Sequence, residues 1–326
     1  MMSRVAESIY WMSRYIERAE NVARFVDVNL HLLLDLPQES RTQWGALVAT
    51  TGDDEAFRER YGEPSMENVL RFLTFDPENP NSILSCLHAA RENARSVREY
   101  ITSEMWLQLN KFYFMVRTAS SAGRETQSSH DFFLDVMMAS HQFLGITDAT
   151  MSHGEGWHFC RMGRMLERAD KTSRILDVKY YMLLPSVSDI DTPYDDIHWA
   201  ALLRSASAFE MYRKRHGRIT PENVVRYLLI DPDFPRAVYH CMKKTEESLR
   251  AVTGTRTGVF ALPIERRIGR LIAGLEAQSV RQIIGSGLHE FIDGVQIRIN
   301  EVGIAIHETF FAMKPMPAGP AAGSEQ

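Results

Sequence analysis

The sequence of 326 residues contains only three cysteines, Cys86, Cys160 and Cys241, none in the C-x-x-C spacing of zinc and redox sites. That is too few for a disulfide framework. It also has no apolar run of about 20 residues, the length needed to cross a bilayer. Met1-Met2-Ser3-Arg4 leads into an expected helix with charges every few residues, without the apolar stretch of a secretory leader. A cytoplasmic chain that does not enter a membrane is therefore expected. There is no excess of positive charge: the net formal charge is -5, which argues against a nucleic-acid partner. The one basic run, Arg213-Lys214-Arg215-His216, stands before a glycine and reads as a solvated helix end. The phosphate loops G-x-x-x-x-G-K-[ST] and G-x-G-x-x-G are missing, as is the nucleophile elbow G-x-S-x-G.

Comparing the chain with itself shows what is present. Residues 14–28 read RYIERAENVARFVDV and residues 164–178 read RMLERADKTSRILDV, identical at seven of fifteen positions. Chance would give about one match. A second block follows at an offset of 155, in which residues 62–86 and 217–241 agree at ten of twenty-five positions, including Asp76/Asp231, Pro77/Pro232, Pro80/Pro235 and Cys86/Cys241. Two blocks in the same order indicate a tandem duplication. The extra five residues of the second copy fit the polar stretch Ser186–Pro193, read as an inserted loop.

Apolar residues recur at helical i, i+3/i+4 spacing, and strand-like alternation is absent. The expected fold is all-α: a helical bundle of two tandem repeats of one multi-helix unit, packed about a pseudo-twofold axis. The repeats are assigned to residues 1–150 and 151–313, with a disordered Pro/Ala/Gly-rich tail at 314–326. Thr220-Pro221-Glu222 has the residues of a helix start, and Ser65 occupies the matching place in the first copy.

On a helical wheel, Met12, Tyr15, Ala19, Val22 and Val26 share one face, expected to pack in the core. Arg14, Glu17, Arg18 and Asn21 cluster on another side, flanked by Glu20, Arg24 and Asp27, and the i, i+4 spacing lets Glu20 pair with Arg24. A solvated face would have drifted between the two copies. Instead the charged positions match best, while Tyr15/Met165, Ile16/Leu166 and Val22/Thr172 vary. A shared, partly buried role is therefore expected for Arg14, Glu17, Arg18, Glu20, Arg24 and Asp27 and for their counterparts Arg164, Glu167, Arg168, Asp170, Arg174 and Asp177. Two forms of that role stay open. The charges satisfy one another as a buried network between the two helices, or surplus guanidiniums line a pocket for a carboxylate or phosphate. Arg91, Arg95 and Arg98 share a helical face and are candidates to extend such a pocket.

Other signals are weaker. Glu155-Gly156-Trp157-His158 is a single E-x-x-H, whereas di-iron bundles need two such motifs plus further carboxylates, so no metal site is expected. The remaining histidines, among them His130, His141, His289 and His307, read as scattered polar or core residues. Cys86 and Cys241 read as small core residues. With no catalytic constellation, the reading leans towards a chain without activity of its own, an enzyme stays open as the alternative, and no cofactor is expected.

Taken together, the repeated R-x-x-E-R-A-[ED]-x-x-x-R-x-x-D-V, the lead-in Ser3–Trp11, the segment Ala90–Arg98 and Ile101-Thr102-Ser103-Glu104-x-Trp106 resemble the bacterial alpha-E family, named for an "ER" signature. The likeness spans all but the tail. It implies an accessory helical protein associated with circularly permuted ATP-grasp amide ligases and transglutaminase-like peptidases, in amide-bond formation on peptides or small metabolites. The resemblance thus makes an ATP-grasp ligase or transglutaminase-like protein the expected partner. The residues themselves leave open the alternative, an enzyme or ligand-binding protein with an internal Arg/Glu pocket for an anionic small molecule.

Overall fold

In a computed structural model, the structure describes residues 1–35, 44–121, 130–182 and 193–312. The inserted stretch Ser186–Thr192 and the tail 314–326 lie outside the described residues. Those residues form fifteen α-helices and no strand. Among them no helix is long and apolar enough to cross a membrane.

Two long helices carry the fold, α1 (Ser3–Asp35) and α8 (Glu155–Met182), and they pack more extensively against each other than any other pair. They run side by side in the same direction: the Met1 ammonium meets Glu155, and Glu17 meets Arg168 nearly halfway along each helix. Close approach is set at Gly163 of α8, where any Cβ would run into the Tyr10 carbonyl oxygen of α1. Around α1 lie α5 (Ile83–Ser96) and α7 (His130–Thr150), and around α8 lie α12 (Val238–Thr253) and α15 (Leu288–Ile306). The helix α6 (Ser103–Ser121) packs on α5 and α7, as α13 (Pro263–Glu276) does on α12 and α15.

Met12, Ala19, Val22 and Val26 are buried as the wheel requires, while Tyr15 stays half-buried. The opposite side of α1 is buried too: Glu17, Glu20, Asn21, Arg24 and Asp27 are all shielded from solvent. Residues buried on both these faces belong to the interior, so the solvated-face reading of this stripe is excluded. Its polar groups must then find partners within the protein, because an isolated buried charge is too costly to keep.

Shorter helices close the ends. Ser65 caps α4 (Met66–Thr74) by accepting from Asn68 N, and Thr220 caps α11 (Pro221–Val225) by accepting from Asn223 N, with Pro221 at the first helical position. Asp76 and Asp231 end these segments, each turning its Oδ1 onto a backbone N–H two residues on. Asp76 also takes Arg60 at 3.0 Å and Asp231 takes Arg215 at 2.6 Å. The basic run is therefore not simply solvated, because its Arg215 clamps the turn after α11. One local difference separates the two stretches: α11 gives way to a π-turn over Arg226–Ile230, where α4 remains α-helical.

Candidate functional site

The Arg/Glu stripes of α1 and α8 face each other, and each glutamate is held by the other helix's arginine. Arg168 donates Nε and Nη2 to the two oxygens of Glu17, both at 2.8 Å. Arg18 donates Nε and Nη2 to the two oxygens of Glu167, at 2.7 and 3.0 Å. Such fork-to-fork pairs are the most directional ion pairs available to a side chain. Each carboxylate then gains a second guanidinium. Arg14 reaches Glu167 Oε2 at 2.8 Å, and Arg236, from the start of the α12 region, reaches Glu17 Oε1 at 3.0 Å. Glu17 and Glu167 are 2% and 0% exposed, so the exchange is dry.

A second layer completes it. Glu20 accepts from Arg24 at 2.5 Å, from Ser140 at 2.9 Å, from His141 and from Arg236. Asp170 pairs with Arg174 at 3.0 Å and with Lys171. Arg18 donates its remaining Nη1 to Asn81 at 2.6 Å. Near the far end of each stripe stands an aspartate–histidine contact, His130 to Asp27 at 2.7 Å and His289 to Asp177 at 2.6 Å.

Electrostatics follow from this geometry. Burial pushes the Glu167 carboxyl up, but Arg18 and Arg14 pull harder, so its pKa ends well below the usual carboxylate range. Glu17 is likewise lowered, with burial outweighed by Arg168 and Arg236, and Glu20 by Arg236 and His141. Arg24 and Arg164 go the other way: burial, then the neighbouring Arg236 or Arg168 guanidinium, lowers their pKa. The cysteines are inert by the same reasoning, since burial pushes the Cys86 and Cys241 thiols to about 12.

The structure does not unite every expected residue. Arg91 donates to Asn110 at 2.7 Å and lies over the rings of Trp106, Tyr113 and Phe114, while Arg95 is 66% exposed and pairs with Glu92. Neither extends the network; their helix face is turned to α6 and to solvent. Arg164 borders a small cavity of about 20 Å³ beside Glu17, Glu20, Ser140 and Cys160, with its buried Nε unpartnered. That space holds little more than one water molecule. The E-x-x-H residues are occupied elsewhere, Glu155 by the Met1 ammonium at 2.6 Å and His158 edge-on against Trp157.

Sequence reasoning missed Arg236, Asn81, Lys171, Ser140 and His141. Asn81 and Arg236 stand at matching places, each directly after the second proline of its D-P-x-x-P turn, and only an identity search skips them because they differ. A larger cavity of about 520 Å³ opens at the end of α1, bordered by Arg24, Asp27, His31, His130, Arg204 and Glu210.

An all-helical body whose two longest helices exchange Arg–Glu forks defines a class of protein by its ER motif. A family model described as "a predicted alpha-helical domain with a conserved ER motif", Alpha-E, matches residues 1–311, and the chain belongs to that family. Among curated proteins it is similar to uncharacterized proteins of Mycobacterium bovis and Mycobacterium tuberculosis, at 22% identity over 339 residues. The match covers 95% of this chain but only 37% of the length of those relatives. No solved structure matches.

Proposed function

We propose that this chain is a non-catalytic helical partner of an ATP-grasp amide ligase or transglutaminase-like peptidase system, and that its two halves are tandem repeats related by a pseudo-twofold axis parallel to α1 and α8. The observation that carries this reading is the reciprocal exchange itself. Residues matched by the sequence repeat swap partners, Glu17 with Arg168 and Glu167 with Arg18, as a twofold contact requires. The glutamates are saturated by protein arginines, so the ER motif serves to dock helix on helix. The mycobacterial relatives extend well beyond the region matched here, so in them an Alpha-E region is one part of a larger chain. That is consistent with a body that works alongside another domain.

Co-expression with an ATP-grasp ligase encoded beside it tests the proposal. A stable complex on gel filtration, with ligase activity raised by the added chain, is the expected result. A chain that stays monomeric and leaves the ligase unchanged overturns it. The second reading, an anionic ligand, is favoured by one feature: Arg24 borders the 520 Å³ cavity with its buried Nε unpartnered. A rise in melting temperature with acidic amino acids or phosphates, absent with neutral analogues, would support it.

A further inference from the structure

At the edge of the 520 Å³ cavity, Asp27, His31 and His130 converge, each offering one ligand atom, and the three atoms lie within 4.8 Å of one another. Asp27 and His31 are one helical turn apart on α1 and so point the same way, while His130 opens α7 from the opposite side. The His31 and His130 rings meet edge to face at 4.7 Å. Asp27 is buried and both imidazoles are half-exposed. That is the arrangement of an anchored carboxylate with two accessible nitrogen donors.

We propose that Asp27, His31 and His130 bind a divalent transition-metal ion, with at least one coordination position left open toward the cavity. Two imidazoles and one carboxylate form a donor set that suits zinc or ferrous iron with room for a further ligand. The geometry needs little adjustment. The three donor atoms already lie within 4.8 Å of one another, with His130 Nδ1 only 2.7 Å from Asp27 Oδ1, and donors about 2.1 Å from a tetrahedral ion stand about 3.4 Å apart, so small side-chain movements close the site. Arg24 and Arg204, on the cavity wall, favour an anion or hydroxide as the remaining ligand.

The chain contains its own control. Asp177 and His289 form the same aspartate–histidine contact in the second half, yet the position matching His31 is Tyr181. An aspartate–histidine pair alone is therefore part of the repeated framework. The third donor is what sets the first half apart. This inference does not depend on the partner reading and stands or falls separately.

The test uses the full chain, freed of any purification tag and stripped with a chelator, titrated with zinc chloride by calorimetry. One ion per chain is expected, with binding weakened at least tenfold in H31Y, which copies the second half, and in H130A. D177N and H289A should bind as the wild type does. Visible absorption of the cobalt(II)-loaded protein gives an independent readout, with bands lost in H31Y; circular dichroism confirms that each variant is folded. No stoichiometric uptake by the wild type overturns the proposal. So does binding that survives both H31Y and H130A, or falls equally in H289A.

Discussion

A carboxylate with no access to water is stable only while its guanidinium partners stay in place. Glu167 is such a group, held by Arg18 and Arg14 together. Glu167→Gln would leave two buried cations facing a neutral amide, and unpairing of this kind costs about 3–5 kcal/mol. Because the folded-state pKa of Glu167 lies below its ordinary value of 4.5, its contribution is fully present above that value and is lost as pH falls toward the folded one. Urea unfolding should thus show the variant well below wild type at pH 7, with the gap narrowing below pH 4.5. A gap that is the same at pH 3.5 as at pH 7 would mean the carboxylate charge is not what stabilises the docking. At this scale the sequence was informative about charge and not about partnership. The repeat marked Glu17, Arg18, Glu167 and Arg168 as special, but no spacing rule pairs residues about 150 positions apart. Arg236 comes from the turn before α12 and the histidines come from α7 and α15, and only folding brings them in.

Helix identity was largely legible from apolar periodicity, and the caps at Ser65 and Thr220 form as their residue types require. What periodicity could not show was that the charged stripe Glu17, Glu20, Asn21, Arg24 and Asp27 of α1 is as buried as its apolar face. A polar stripe looks the same on a wheel whether it meets water or another polar stripe. Nor did the second glycine of α8 declare its purpose. Gly163 permits backbone contact with Tyr10, and that contact sets how near the two ER stripes can come. Gly163→Ala gains helix propensity of up to about 1 kcal/mol, but it forces α1 and α8 apart, an overpacking cost of about 1–3 kcal/mol. A net fall in melting temperature is expected, larger for Gly163→Val. An unchanged or raised melting temperature in Gly163→Val would show that the helices have slack at this contact.

Over the whole molecule, neither half is electrostatically complete. Glu17 depends on Arg168 and Arg236 from the second half, and Glu167 on Arg14 and Arg18 from the first. Residues 1–150 and 151–313 expressed separately should each be poorly folded, and mixing them should restore helical circular dichroism and a cooperative melt. Two halves that each melt cooperatively alone, with no change on mixing, would contradict this interdependence.

The replacement of Asn81 by Arg236 at matching places, and of His31 by Tyr181, has a consequence for stoichiometry. A homodimer built on the same handshake would display every surface feature twice and would recruit its associates in pairs. Here both Arg/Glu helices belong to one polypeptide, and residues at matching sequence positions differ. Arg236 is buried, but the His31 side chain is half-exposed, and whatever recognises it finds it once, so each chain is expected to engage a single associate there in a single orientation.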